Sequence, residues 1–150
     1  MTERMSQDDL DQSILTILQK NGKLTNEEIG TMLDRSPSTI RDRIKRMEDE
    51  RTIMGYSAIV NEGRVGINAD AYVSTNIPPE KEGEAISQLL GVENVSEVLH
   101  TTGERRIMFR ISAESNAELL QILDKKVRPL GFEEMDIIYV LDHVVRNPGV

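Results

Sequence analysis

The sequence predicts an α+β protein of two domains joined by a strand linker. In residues 1–53, apolar side chains recur at helical spacing, which predicts three helices and a helix-turn-helix (winged-helix-like) domain. From residue 65 onward, alternating segments interleave with helical ones in the order βαββαβ, which predicts a ferredoxin-like domain over residues 65–150. Residues 54–64 are expected to form the linker strand and a hinge.

Each predicted helix of the first domain opens with a capping signal. Ser6 is the expected cap of the first helix, and Thr25-Asn-Glu-Glu28 is typical of a capping box for the second. Ser36 before Pro37 opens the third, because a missing N–H is harmless at the first helical position. The residues that these helices are expected to bury are Leu10, Ile14, Ile17, Leu18, Ile29, Met32, Leu33, Ile40, Ile44 and Met47.

The third helix carries the densest basic cluster of an otherwise acidic chain. The net charge of the whole chain is −8. The cluster consists of Arg35, Arg41, Arg43, Lys45 and Arg46 against Asp42 alone, which leaves a local charge of +4. Such a reversal of sign on one helical face indicates a surface for a polyanion, with double-stranded DNA the first candidate. The alternative is an ordinary solvated charged face.

The outward residues of this helix fall into two groups, according to whether we expect them to contact bases or phosphates. The N-terminal part of a recognition helix enters the major groove, where Arg pairs with guanine and Asp accepts from cytosine. The candidates for base edges are Ser38, Thr39, Arg41 and Asp42. The candidates for phosphate contacts, which fix register without reading sequence, are Ser36, Arg43, Lys45 and Arg46. Arg43 has a structural alternative, a pair with an acid of the first or second helix.

The second domain is predicted as strand 67–77, a helix to about 90, strands 95–101 and 105–111 around a turn, a helix capped by Ser115 and ended by Gly131, and strand 135–144. The last strand is apolar on both sides, which predicts a central position or burial at an interface. The strands keep enough apolar residues for both faces of the sheet. A second copy is therefore expected on the face that the helices leave open.

Composition and missing motifs exclude several classes of function. The absence of cysteine excludes disulfides, thiolate metal sites and cysteine nucleophiles. No apolar run approaches the roughly 20 residues of a membrane span, and no signal-peptide pattern opens the chain, so a cytoplasmic protein with no membrane contact is expected. No complete catalytic motif occurs, so no enzyme, cofactor or metal is predicted. His100 and His143 are expected in the core or at an interface.

The order and spacing of these segments resemble the Lrp/AsnC (leucine-responsive, feast/famine) family of transcription regulators. The matching segments are Asp11-Gln-Ser-Ile-Leu15, Ser36-Pro37, Arg43-Ile-Lys-Arg-Met-Glu48, Ile53-Met-Gly-Tyr56 and Thr102-Gly103. The resemblance implies a DNA-binding homodimer that assembles into tetramers or octamers through the second domain. It also implies that small effectors, often amino acids, bind where dimers meet, and that the linker strand pairs with its equivalent in the partner.

Four departures from the family pattern affect these expectations. The turn before the third helix is Asp34-Arg35-Ser36 instead of Gly-Leu-Ser, and Arg51 replaces a glycine before the linker. The effector turn, usually Thr/Ser-Gly-x-x-Asp, ends here in Arg106. The family's Thr-x-Thr pair is replaced by a segment centred on Asp136. The resemblance maps the effector site onto Thr101, Thr102, Gly103, Glu104, Arg106 and Asp136.

We therefore expect weakened or absent binding of ordinary amino acids. Arg106 is expected either to select an effector with an extra carboxylate or to form an ion pair between subunits. Two other interpretations of the whole chain stay open. One is a decarboxylase of the tetrapyrrole pathway built on the same scaffold. The other is a ligand sensor that does not bind DNA, which the acidic net charge favours.

Overall fold

A computed structural model describes residues 8–146, which group into two compact units. The first unit comprises the described residues up to Ile59 together with residues 144–146. It contains α1 (Asp9–Lys20), α2 (Asn26–Leu33) and α3 (Pro37–Asp49). Its core consists of the fully buried side chains Ile14, Ile29, Ile40 and Met47. The predicted burial of Met32 is wrong, since 60% of it is exposed. The side of α2 that faces the core carries Ile29, Gly30 and Leu33 instead.

The caps explain where these helices begin. Thr25 and Glu28 form the predicted capping box, in which each side chain accepts from the other's backbone N–H at 3.1 and 2.8 Å. Ser36 caps α3 as predicted, accepting from the Thr39 N–H at 3.2 Å. The predicted cap of α1, Ser6, lies outside the described residues. The helix begins at Asp9, so the cap is Asp8, which accepts from the Asp11 N–H at 3.0 Å.

The predicted linker strand is not a strand within the described chain. Residues 54–60 carry no regular secondary structure, and a 3-10 helix follows over Glu62–Val65. Asn61 caps that helix by accepting from the Arg64 N–H at 3.3 Å. A strand needs a hydrogen-bonded neighbouring strand, and none of the strands in the described ranges pairs with residues 54–59.

The second unit, Val60–His143, has the predicted βαββαβ order. The elements are β1 (Ala69–Asn76), α4 (Pro79–Leu90), β2 (Val95–His100), β3 (Ile107–Ala113), α5 (Asn116–Ile122) and β4 (Glu133–Tyr139). The antiparallel sheet has the strand order β2-β3-β1-β4. After α5 the chain continues through a π-helical turn, Leu123–Val127, and a 3-10 turn that Gly131 ends at a φ of 104°.

The alternation predicted for the first strand is confirmed, and it places the core on one face of the sheet. Ala71, Val73 and Thr75 point into the core beside Phe109 of β3, against Leu89 and Leu119 of the helices. The opposite face is more polar than predicted. Its centre holds Arg110, bonded to Asp70 and positioned 5.8 Å from the Tyr72 ring centroid. The remaining side chains on this face include Ser74, Met108, Ser112 and Ile138.

The predictions for the last strand are partly wrong. β4 starts two residues earlier than predicted, at Glu133, and ends at Tyr139 on the edge of the sheet instead of at its centre. Buried Phe132 anchors its start, and Glu134 adopts a φ of 51°, where the pairing with β1 is irregular. The outer part of the apolar run is exposed, with Leu141 at 96%. No helix between residues 8 and 146 is long and apolar enough to cross a membrane.

Candidate nucleic-acid interface

The turn between α2 and α3 depends on a close approach of two backbone segments. The Arg35 N–H donates to the Gly30 carbonyl at 2.9 Å, and Asp34 adopts the left-handed conformation at a φ of 53°. A Cβ atom on Gly30 would lie 2.5 Å from the Arg35 carbonyl oxygen. Only glycine therefore fits at position 30 without moving the turn. Asp at position 34 tolerates the left-handed region better than most residues, so the family's usual glycine is not needed there.

Two cations stand on the exposed face of α3. Arg41 and Lys45 are four residues apart, which places them on the same side of the helix, and both are exposed. Arg41 pairs with its neighbour Asp42 at 3.3 Å, with side-chain exposures of 65% and 71%. Such a solvated pair contributes about 0–1 kcal/mol, so Arg41 can exchange Asp42 for a phosphate or a base edge at small cost.

The other two cations of α3 are bonded to acids at the start of α1. Asp11, whose side chain is 1% exposed, accepts from Arg43 Nη1 at 3.2 Å and from Arg46 Nη2. Arg43 Nη1 also bonds Asp8. This arrangement is the structural alternative for Arg43, a pair with an acid of the first helix. Arg46 shares it, although its side chain keeps 47% exposure.

These bonds shift the titration of both partners. The hydrogen bond from Arg43 lowers the pKa of Asp8, and the Asp11 N–H that Asp8 caps lowers it further. The hydrogen bond to Asp8 raises the pKa of Arg43. Both shifts favour the charged forms, so the pair holds α1 and α3 together across the neutral pH range.

Three hydroxyls gather at the N-terminus of α3. Ser36 Oγ lies 3.1 Å from Ser38 Oγ and 2.8 Å from Thr39 Oγ1, and it also accepts from the Thr39 N–H. Helix N-termini present unpaired N–H groups and a partial positive charge, which suits a phosphate. All three hydroxyls are hydrogen-bonded within this group, and Ser36 and Ser38 are also exposed to solvent.

The predicted effector turn is a compact loop between β2 and β3. Thr101 closes it, with its N–H donating to the Arg106 carbonyl at 2.8 Å and its hydroxyl to the Arg105 carbonyl at 3.1 Å. Gly103 takes a φ of 104° at the tip. Thr102, Glu104 and Arg106 are exposed, and Asp136 is exposed on β4, opposite Ser74 of β1.

Sequence reasoning missed Asn76, which holds this turn from the end of β1. Its Oδ1 accepts from the Arg106 N–H at 3.0 Å, and its Nδ2 donates to the Glu104 carbonyl at 2.7 Å. The residues lie about 30 positions apart in sequence, and no local pattern marks the contact. The sequence predicts His100 and His143 in the core or at an interface. Their side chains are 70% and 37% exposed in this chain, so the core alternative is wrong, and the interface alternative stays a prediction.

Comparison with known proteins identifies the family. Residues 7–54 match the family described as winged helix-turn-helix DNA-binding. The HTH-type transcriptional regulator FL11 of Pyrococcus furiosus is 34% identical over 134 residues, covering 89% of each chain. The HTH-type transcriptional regulator LrpA of Pyrococcus abyssi is 30% identical over 120 residues, covering 80% of this chain and 85% of its own. The chain belongs to the Lrp/AsnC family.

The fold of this Lrp/AsnC protein agrees with that assignment. The structure of Escherichia coli AsnC superposes with a TM-score of 0.83 at 23% identity, covering 95% of this chain and 97% of its own. The resemblance inferred from the sequence is confirmed, and the protein is a DNA-binding transcription regulator. The relatives support neither the tetrapyrrole decarboxylase nor the sensor without DNA binding.

Proposed function

We propose that this Lrp/AsnC regulator recognises a specific, roughly palindromic DNA site as a homodimer or larger assembly, with Arg41 and Lys45 as its main cations at the duplex. The observation that carries the proposal is that, among the described residues, only two of the four cations of α3 are free of carboxylates from α1. Arg41 and Lys45 are exposed on one face of α3, whereas Arg43 and Arg46 bond acids of α1. Two such helices in a dimer read half-sites about one helical turn, ~34 Å, apart.

The exposed residues of α3 take distinct roles in this proposal. Arg41 reads a guanine through its O6 and N7 atoms once it leaves Asp42, and Asp42 then accepts from a neighbouring cytosine. Ser38 and Thr39 stand at the groove end of the helix, and Lys45 contacts a phosphate. Ser36 keeps its cap, and its place at the helix N-terminus favours a nearby phosphate. Arg43 and Arg46 position α3 against α1, with Arg46 exposed enough to reach a phosphate as well.

Selection of binding sites from random DNA, followed by gel shifts on the selected site, tests this proposal. The double variant Arg41→Ala and Lys45→Ala should weaken binding and make the salt slope shallower by about one for each phosphate that the variant no longer binds. Removal of the Arg41 side chain alone should relax preference at one guanine, at a cost of about 1–3 kcal/mol. The matched control is Lys125→Ala with Lys126→Ala, which removes two exposed cations of the second unit. Equal effects of the two double variants would refute the proposed interface.

We further propose that the loop Thr101–Arg106 meets an effector that carries an extra carboxylate, or a carboxylate of another subunit. Exposed Arg106 and the two hydrogen bonds from Asn76, which fix the loop backbone, support this. The family pattern implies an acid at the position of Arg106, so in this chain a neutral amino acid would lack a partner for its ammonium group. Calorimetric titration should show no micromolar binding of leucine. Glutamate binding that disappears in Arg106→Gln would favour the effector over the subunit contact.

We also propose that the exposed linker, residues 54–59, forms the contact between two copies of the chain. Met54, Tyr56 and Ile59 are exposed on a segment without a strand partner in the described part of this chain, at 83%, 55% and 49%. Pairing of this segment with its equivalent in a second copy gives it that partner and covers the apolar side chains. Light scattering should show a dimer or a higher even assembly. Replacing Met54 and Ile59 by Glu should lower the assembly state.

A further inference from the structure

Three segments of the second unit bring an imidazole and two carboxylates together. Glu62 lies on the 3-10 helix, Asp70 is the second residue of β1, and His143 follows β4. One ligand atom from each lies within 4.8 Å of the other two. His143 Nε2 is 3.8 Å from Glu62 Oε2 and 3.8 Å from Asp70 Oδ2.

These separations suit a bridging ion better than direct contact. A direct N–H···O hydrogen bond needs about 2.7–3.2 Å, so the His143–carboxylate distances of 3.8 Å exceed it. A tetrahedral Zn²⁺ ion bound to nitrogen and oxygen at about 2.0–2.2 Å holds its ligand atoms roughly 3.3–3.6 Å apart. The two His143 separations of 3.8 Å come within a few tenths of an ångström of that geometry. The Glu62 and Asp70 oxygens, within 4.8 Å of each other, reach it by rotation of their side chains.

The charge of the surrounding cavity also favours a divalent cation. The cavity has a volume of about 210 Å³, and its lining adds Asp142 and the amide of Asn68 to the three groups. Three carboxylates, those of Glu62, Asp70 and Asp142, therefore line this cavity, and Arg110 bonds the first two. Asp70 is only 8% exposed, so much of this charge is removed from water.

Arg110 orients the carboxylates of Asp70 and Glu62. It donates to Asp70 Oδ1 at 3.0 Å, to Asp70 Oδ2 at 2.6 Å and to Glu62 Oε1 at 3.3 Å. A carboxylate oxygen has two lone pairs, so Arg110 uses one of the two on each Asp70 oxygen. Outer hydrogen bonds of this kind are the usual way in which proteins fix the carboxylate ligands of a metal.

We propose that Glu62, Asp70 and His143 bind a divalent transition metal, with Zn²⁺ as the reference ion. An imidazole with carboxylates is a ligand set for Zn²⁺ and its neighbours, whereas Ca²⁺ and Mg²⁺ prefer oxygen alone. Water or Asp142 completes the coordination. The ion links the start of the second unit to the segment after β4, so it stabilises that segment. The site departs from the expectation, drawn from sequence motifs, that the chain holds no metal.

The two histidines of the chain supply a matched pair of variants. The sequence contains His100 and His143 only, and no cysteine. His100 lies at the end of β2, where its Nε2 is 2.6 Å from Glu82 Oε1. His143→Ala removes the proposed nitrogen ligand, whereas His100→Ala removes the other imidazole and leaves the site intact. Glu62→Gln is a second variant that keeps side-chain size, and circular dichroism checks the fold of each.

Titration of the full-length, tag-free protein with Zn²⁺ by calorimetry, and with Co²⁺ by visible absorption, tests the site. The wild-type protein and His100→Ala should bind one ion per chain and show the same Co²⁺ spectrum. His143→Ala and Glu62→Gln should bind at least about tenfold more weakly. Wild-type protein without stoichiometric binding, or equal binding by the two histidine variants, would overturn the proposal.

Discussion

Replacing Gly30 by Ala should loosen the helix-turn-helix, although alanine is the better helix former. The added Cβ atom would lie 2.5 Å from the Arg35 carbonyl oxygen and 3.5 Å from the Pro37 nitrogen. The first distance is about 0.9 Å shorter than the lower end of an ordinary van der Waals contact. Both neighbours are backbone atoms of the turn, so no side-chain rotation relieves the overlap. The turn must move, and the 2.9 Å hydrogen bond from Arg35 to Gly30 lengthens or breaks.

The expected cost combines three effects. Overpacking against backbone costs about 1–3 kcal/mol, and breaking the hydrogen bond costs about 0.5–1.5 kcal/mol. The greater helix propensity of alanine returns about 1 kcal/mol. The net destabilisation of the first unit is therefore about 0.5–3.5 kcal/mol. Because each 1.4 kcal/mol is tenfold in an equilibrium constant, local opening should become roughly two- to 300-fold more frequent.

Hydrogen exchange of amides in α2 and α3, measured by mass spectrometry, reports this opening directly. Gly83 supplies the control, because it is an exposed helical glycine in α4 whose added Cβ would meet nothing within 4 Å. Gly83→Ala should leave its helix unchanged or stabilise it by about 0.4–1 kcal/mol. Gly30→Ala should also bind DNA more weakly, because α3 shifts relative to α2. Unchanged or slower exchange in Gly30→Ala would refute the reasoning about the turn.

Three further changes probe other contacts. Asn caps helices as well as Asp, so Asp8→Asn removes only the charge. Arg43 lowers the pKa of Asp8 below 3.8 in the folded state, so the stability that the charged pair contributes is present above about pH 4 and is lost as the pH falls through the lowered pKa. Urea unfolding measured from about pH 7 to pH 2 should therefore show a smaller loss of stability in acid for Asp8→Asn than for the wild type. Asn76→Ala should speed amide exchange in the loop Thr101–Arg106 and leave the circular dichroism unchanged. An exchange rate equal to that of the wild type would show that the two Asn76 hydrogen bonds do not hold the loop. Thr75→Val should cost about 1–3 kcal/mol in thermal unfolding, because its buried hydroxyl bonds a carbonyl at 2.6 Å; a stability equal to the wild type would contradict that contribution.

Features set by neighbouring residues were predictable from the sequence, and features set by distant ones were not. Thr25 and Ser36 cap their helices through groups three residues away, so spacing alone located both caps. The edge position of β4 has no local signal, because it depends on which strand lies beside β1. Its early start also depends on Phe132, which is buried in the core of the second unit.

In the candidate DNA interface too, local features were predictable from the sequence and long-range contacts were not. The sequence located the basic cluster on α3, but it could not show which cations are held within the protein. The carboxylates that bond Arg43 and Arg46 come from positions 32 to 35 residues earlier. Similarly, Asn76 holds a turn about 30 residues away. Which side chains remain available to DNA therefore depends on how α1 packs against α3.

This packing predicts a shallower salt dependence of DNA binding than the sequence count suggests. Five cations per chain, if all met phosphates, would give a dimer a slope of about −9 in a plot of log affinity against log salt. Asp8 and Asp11 neutralise two of the five, and Arg35 bonds its own turn through the Asp34 carbonyl. Arg41 and Lys45 then remain. A dimer in which Lys45 meets a phosphate and Arg41 reads a base has a slope of about −2, and the slope would be about −4 if Arg41 also met a phosphate. Gel shifts from about 50 to 200 mM salt distinguish both values from −9. A slope near −9 would mean that Arg43 and Arg46 leave their carboxylates when DNA binds, and in that case Asp11→Asn should strengthen binding.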